Sequence, residues 1–142
     1  MALQDLNILL VEDDDVDVMN VKRAFRRNNI STPLYVAKNG LEGLAMLRGD
    51  PNDEGLPRDR RMILLDLNMP RMNGIEFLEA LRQDPHLSTT PVVVLTTSNA
   101  DRDRLAAYRY NVAGYILKPV QFASFADTMV ALSNYWTLCE LP

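Results

Sequence analysis

Five residues able to do chemistry stand just after, or close, short apolar runs. Glu12 and Asp13 follow Ile8-Leu9-Leu10-Val11, Asp66 follows Met62-Ile63-Leu64-Leu65, Thr96 closes Val92-Val93-Val94-Leu95, and Lys118 follows Tyr115-Ile116-Leu117. Runs this short, bounded by turn residues, read as buried strands. In parallel α/β sheets ligands sit outside the carboxyl ends of the strands, so the five would converge on one crevice. Carboxylates sharing a crevice repel one another unless a cation lies between them, and hard oxygen ligands select Mg²⁺ or a similar divalent ion. Mg²⁺ held by one or two carboxylates keeps room for an incoming phosphoryl group. A carboxylate such as Asp66 is itself a nucleophile able to form an aspartyl phosphate. A lysine ammonium and a threonine hydroxyl then supply donors to the phosphoryl oxygens.

Each of these residues alone also has a structural reading. The run Glu12 to Asp15 would cap and charge a helix start, Asp14 and Asp15 above all. Asp66 would serve as a turn or capping aspartate. Thr96 would satisfy backbone at a strand end, Tyr115 would be core with its hydroxyl at the surface, and Lys118 would be a solvated lysine held by Pro119. Their joint occurrence is what points to chemistry.

The elements that must position them alternate along the chain. Asn7 to Val11 reads as the first strand, and Val18, Val21 and Phe25 mark an amphipathic helix with acids at its start and bases at its end. Leu34 to Ala37 is a second strand, and Leu41, Leu44 and Leu47 give a second helix. Gly49 to Arg61, with two prolines and mixed charges, is an exposed loop, long for its place. The third strand runs to Asp66; Ile75, Leu78 and Leu81 mark a helix that stops before Pro85, and His86 is a surface residue of the loop beyond. Pro91 to Thr97 is the fourth strand, Ala100 to Asn111 a helix, and Gly114 to Leu117 the fifth strand. The last helix carries Phe125, Met129, Leu132 and Trp136 as one apolar stripe. Short apolar strands each followed by a helix imply a parallel sheet covered on both faces.

Composition narrows the class. The 142 residues suffice for one domain with a core that needs no disulfide. Cys139, the one cysteine, can close no intramolecular bridge and has no partner for zinc, so it reads as a free thiol. The net charge of −4 argues against sequence-independent nucleic-acid binding. No apolar run approaches a membrane span and no leader precedes the first strand, which sets the expectation of a cytoplasmic protein.

The motifs Leu10-Val11-Glu12-Asp13-Asp14, Leu65-Asp66-Leu67-Asn68-Met69-Pro70-Arg71-Met72-Asn73-Gly74, Leu95-Thr96-Thr97-Ser98 and Gly114-Tyr115-Ile116-Leu117-Lys118-Pro119 occur in this order at fitting spacings. Together they resemble the receiver domain of two-component response regulators, and the resemblance spans almost the whole chain. It implies a flavodoxin-like (βα)5 fold, a doubly wound parallel sheet of strand order 2-1-3-4-5 with the site at its switch point. It further implies that Asp66 accepts a phosphoryl group from a phosphohistidine on a histidine kinase. Asp13 and Asp66 would hold Mg²⁺ directly, the backbone carbonyl of Asn68 would be a third ligand, and Glu12 would act through water. Lys118 would bridge to the phosphoryl oxygens and Thr96 would move to bond one of them. Tyr115 matches the family's aromatic switch, and Asn68 and Ser98 occupy positions that tune the rate of hydrolysis.

The long loop, the C-terminal tail and the stretch Pro91 to Ser98 resemble the stand-alone response regulators of bacterial and cyanobacterial phytochrome histidine kinases. This implies a phytochrome as the kinase and a homodimer as the assembly. The reading is then a receiver domain over 1–136 and a C-terminal extension over 137–142 without an output domain. The tail, rich in large apolar groups, would pack on its own domain or on a second copy. A dimer or partner face would draw on Tyr108, Phe125, Trp136 and Leu138. Signalling would run through protein contacts, a histidine phosphotransfer protein among them, with neither nucleic acid nor membrane as direct partner.

Two other functions compete. A Mg²⁺-dependent phosphatase or phosphotransferase of the haloacid dehalogenase type would place a second aspartate two residues after the nucleophile. Here that position is Asn68, and there is no cap domain. A passive interaction module would leave the acidic pocket unused, against which the intact set Glu12, Asp13, Asp66, Thr96 and Lys118 argues. The protein is thus expected to be a signalling phosphoacceptor, not an enzyme acting on a separate substrate.

Overall fold

Side-chain alternation within the strands sorts the chain into two cores. Leu9 and Val11, Ile63 and Leu65, and Val92 and Val94 point to one face of the sheet. Ile8 and Leu10, Met62 and Leu64, and Val93 and Leu95 point to the other. Burial on both faces is what an all-parallel sheet demands. In the computed structural model, which describes residues 6–49, 55–118 and 122–142, ten elements alternate. They are β1 (Asn7–Val11), α1 (Asp15–Arg27), β2 (Leu34–Ala37), α2 (Gly40–Arg48), β3 (Arg61–Leu65), α3 (Gly74–Gln83), β4 (Val92–Thr96), α4 (Asp101–Arg109), β5 (Gly114–Leu117) and α5 (Phe122–Trp136). The sheet is parallel throughout, in the order β2-β1-β3-β4-β5. This is the flavodoxin-like doubly wound arrangement expected from the motifs. Helices α1 and α5 close one core; α2, α3 and α4 close the other.

Helix starts follow local chemistry. Asp14 caps α1, accepting from the backbone of Val16 at 2.8 Å and Asp17 at 3.3 Å. Asn39 caps α2 through Glu42, and Asn73 forms a reciprocal capping box with Glu76. Helix α4 has no side-chain cap at Ala100 and is shorter than expected: Tyr110 and Asn111 already lie in a turn, Asn111 with a left-handed φ of 59°.

Two expectations about faces are corrected. Leu41 was expected on the inner stripe of α2 but is 47 % exposed, and the buried positions are Gly40, Gly43, Leu44 and Leu47. The glycines let α2 approach closely, since a Cβ on Gly43 would stand 3.1 Å from the Phe77 ring and 3.2 Å from Val11. Phe125 and Trp136, expected on a partner face, are each only 5 % exposed and pack in the α1/α5 core. The apolar stripe of α5 is spent inside its own chain. Tyr108 and Leu138 are exposed, at 48 % and 82 %.

Of the loop Gly49 to Arg61, residues 50–54 lie outside those described. Its end is tacked down by the buried Arg61, which donates to the carbonyls of Leu47 at 2.9 Å, Pro57 at 2.5 Å and Leu56 at 3.4 Å. In the tail, Cys139 and Leu141 pack against the α1/α5 core and the Pro142 carbonyl accepts from Arg60 N at 2.8 Å. Pro119, expected to fix Lys118, also lies outside the described residues.

Candidate functional site

The sheet order reverses between β1 and β3, and their register sets the site. Val11 pairs with Leu65, and Asp66 N donates to Val11 O at 3.0 Å, so Glu12 and Asp66 leave the sheet at one level. Asp66 lies just beyond β3, which ends at Leu65, and not within it. On the other side Thr96 pairs with Leu117, and Lys118 N donates to Thr96 O at 2.8 Å, which delivers Lys118 to the same edge.

The loop after Asp66 is held by close packing. A Cβ on Gly74 would stand 2.6 Å from the Asp66 carbonyl and 2.7 Å from Leu67 Cα, and Gly74 N donates to Leu67 O at 3.0 Å. A side chain there has no space, so α3 begins directly beneath the aspartate.

Carboxylate oxygens of Glu12, Asp13 and Asp66 all lie within 4.8 Å of one another. Glu12 and Asp66 are buried and Asp13 is exposed. The Lys118 ammonium sits among them, its side chain 8 % exposed. It is hydrogen-bonded to Glu12 and, at 2.7 Å, to Asp17, and stands 3.8 Å from Asp66 Oδ2. Burial pushes the Glu12 carboxyl up; Lys118 pulls against it and Asp66 pushes it further. Burial pulls the Lys118 ammonium down, but Asp17 and Glu12 more than offset this and hold it above its ordinary value. Lys118 is thus paired with three carboxylates, Glu12, Asp17 and Asp66, and Asp13 adds a fourth to the cluster. That excess of hard oxygen donors around a partly open Asp13 is the donor set of a divalent cation, and the residues fit one.

Thr96 is fully buried, its hydroxyl accepting from Ser98 N at 3.3 Å. Ser98 Oγ donates to Asp103 at 2.6 Å, and the Tyr115 hydroxyl donates to Ser98 O at 2.8 Å. Asn68 is exposed, its backbone N–H directed at Asp66 Oδ1 at 3.4 Å. The structure therefore gathers Glu12, Asp13, Asp66 and Lys118 at one point and links Thr96, Ser98 and Tyr115 beside it. His86 is exposed and its ring has no part in this cluster. Two contributors were missed in the sequence. Asp17 bonds Lys118, although an acid in a helix's first turn is already explained by the dipole. Asp103 holds Ser98, and only its place in the first turn of α4 hinted at it.

An acidic metal-type cluster, a buried lysine and a strand-end threonine at the switch point of a 2-1-3-4-5 sheet define a phosphoacceptor signalling domain. Residues 8–129 match the family model of the response regulator receiver domain, and the chain belongs to that family. It is 37 % identical to the Probable methanogenesis regulatory protein FilR2 of Methanothrix harundinacea, over 91 % of this chain and 82 % of that protein. It is 35 % identical to the response regulator Rcp1 of Synechocystis sp., over 91 % and 87 %. The Mn²⁺-bound structure of Rcp1 superposes with a TM-score of 0.84 at 34 % identity, covering 96 % of this chain and 99 % of that one. The phosphorylated cyanobacterial phytochrome response regulator RcpA gives 0.85 at 31 % identity, covering 96 % and 98 %. Membership places the chain in two-component signalling, where the partner is a histidine kinase. Among the described residues no helix is long and apolar enough to cross a membrane.

Proposed function

We propose that Asp66 is the phosphoacceptor of a phytochrome-type histidine kinase and that phosphorylation changes the protein's contacts. The observation that carries this is the convergence of Glu12, Asp13 and Asp66 within 4.8 Å, with Lys118 between them. An Asp66 carboxylate oxygen attacks the phosphorus of a phosphohistidine. The new O–P bond forms as the P–N bond breaks, and the electron pair and a proton go to the imidazole. Asp13, Asp66 and the Asn68 carbonyl, with Glu12 through water, would hold Mg²⁺, which would supply charge neutralisation at the phosphoryl oxygens. Lys118 donates to one phosphoryl oxygen and the Thr96 hydroxyl turns to another. Tyr115, linked to the same loop through Ser98, follows Thr96 inward. Water then attacks phosphorus, the O–P bond breaks, phosphate leaves and the carboxylate returns; Asn68 and Ser98 flank that approach and tune its rate. These are steps of the protein on itself, with no separate substrate turned over.

The receiver spans 1–136 and residues 137–142 are an extension of it. The exposed Leu105, Tyr108, Leu117, Tyr135 and Leu138 support a homodimer or protein-partner face in place of one using Phe125 and Trp136. Output runs to a protein in the cytoplasm, a histidine phosphotransfer protein or a second copy, and not directly to nucleic acid or membrane. The likeness to the phytochrome response regulator RcpA supports a phytochrome as kinase.

Intact mass after incubation with acetyl phosphate and Mg²⁺, on wild type and Asp66→Asn, tests this, with light scattering on the same samples. The expected result is one phosphoryl adduct that vanishes in the variant and without metal, with a change in assembly. No adduct from acetyl phosphate or from a purified phytochrome kinase overturns the proposal.

A further inference from the structure

Lys118 has more acid in reach than its proposed role requires. Glu12, Asp13, Asp66 and Lys118 all come from the carboxyl edge of the sheet, but Asp17 comes from the first turn of α1 and still bonds the ammonium at 2.7 Å. Asp17 is held in place from its own backbone, since Asp17 N donates to the capping Asp14 at 3.3 Å. Asp66 Oδ2, at 3.8 Å, is the one nearby carboxylate to which Lys118 is paired but not hydrogen-bonded.

We propose that Asp17 is a positioning residue that tethers the Lys118 ammonium and keeps it off the phosphoacceptor in the resting protein. The inference rests on the roles proposed above for Asp66 and Lys118. A lysine with an 8 % exposed side chain must remain paired, because an unpaired buried ammonium is strongly unfavourable. Without Asp17, the unbonded acceptor closest at hand is Asp66, and a shift of about 1 Å brings Lys118 into hydrogen-bond range of it. A hydrogen-bonded Lys118 would occupy lone pairs that Asp66 needs to attack phosphorus. With Asp17 present, Lys118 waits beside the site and its nucleophile stays open. Once the phosphoryl group is attached, its oxygens outcompete Asp17 for the ammonium, so the tether no longer matters. The forward step therefore depends on Asp17 and hydrolysis does not.

The test compares Asp17→Ala, Asp17→Glu and Asp15→Ala by the rate of adduct formation from acetyl phosphate and the rate of adduct loss after donor removal. Asp15 shares the first turn of α1 and its dipole benefit, is exposed, and is not bonded to Lys118. Asp17→Ala is expected to slow formation by about fivefold, equivalent to roughly 1 kcal/mol, while loss stays at the wild-type rate. Asp17→Glu should recover most of the formation rate and Asp15→Ala should match wild type. In metal-free protein, the side-chain carboxyl ¹³C resonance of Asp66 should move in Asp17→Ala and not in Asp15→Ala. Equal effects of the two alanines, or formation and loss changed by one factor in Asp17→Ala, would overturn the tether. Absence of an adduct in wild type would instead overturn the reading beneath it.

Discussion

The Tyr115 hydroxyl donates to the carbonyl of Ser98 at 2.8 Å, joining β5 to the loop that carries Thr96 into α4. The ring is only partly buried, and burial raises the phenol above its ordinary value, so the hydroxyl remains a donor across the working range of pH. Tyr115→Phe keeps the ring and deletes the bond. It should cost about 1 kcal/mol in chemical denaturation. Amide exchange at Ala100 and Asp101 should speed up, while adduct formation at Asp66 keeps its wild-type rate. An unchanged exchange pattern would show that the bond does not order the loop.

Glu12 sets a pH dependence that the divalent ion should cancel. Its carboxyl is pushed from 4.5 up to about 8, chiefly by burial, with Lys118 opposing and Asp66 adding. The folded chain therefore keeps a proton that the unfolded chain releases. This contribution is complete below about pH 4.5 and is lost as pH rises toward about 8. In chelator, stability should fall across that interval by on the order of a few kcal/mol. Glu12→Gln should flatten the dependence and exceed wild type at the alkaline end. Adding Mg²⁺ there should restore wild type more than the variant, and urea denaturation at each pH reads all three effects.

Gly74 tests how tightly the loop after Asp66 is built. Gly74→Ala places a methyl 2.6 Å from the Asp66 carbonyl and 2.7 Å from both Leu67 Cα and Cδ2, two of these three contacts being backbone atoms that cannot turn aside. The loop must shift, at a cost of about 1–3 kcal/mol. Because the displaced atom belongs to Asp66, adduct formation should fall more than stability alone accounts for. Gly43→Ala, whose methyl would meet only side chains of Phe77 and Val11, provides the comparison: a stability loss with the adduct retained.

These contrasts explain what could be read in the chain and what could not. The strands were legible because each is a short apolar run, and the carboxyl edge followed from the polar residue that ends each run. Glu12, Asp13, Asp66, Thr96 and Lys118 were visible for that reason. The inner face of α2 was not, because glycine enters a periodic pattern only when a neighbour's approach is known, and Gly43 is buried by Val11 and Phe77. Asp17 was hidden by a sufficient local explanation. The turn at Arg71, with a φ of 71°, was hidden because arginine carries no left-handed preference, whereas Asn29 and Asn111, also left-handed, are of a type that does.

Trp136 separates a core from an interface. Its indole packs with Phe25, Met62, Leu64 and Met129, meets the Tyr135 ring edge-on at 5.4 Å, and leaves Nε1 without a hydrogen-bond partner. Removing it opens the α1/α5 core, so Trp136→Ala should lose about 3–5 kcal/mol. Trp136→Phe should lose far less, because the smaller ring also removes a buried donor that is itself unfavourable by about 1–3 kcal/mol. The indole emission should be blue-shifted and resist acrylamide at every protein concentration. Leu138, two residues on and 82 % exposed, behaves oppositely: Leu138→Ala should leave stability within about 0.5 kcal/mol. Any shift in assembly by light scattering should then appear in Leu138→Ala and not in Trp136→Phe. The reverse result would place the tryptophan at a subunit contact and return α5's apolar stripe to the surface.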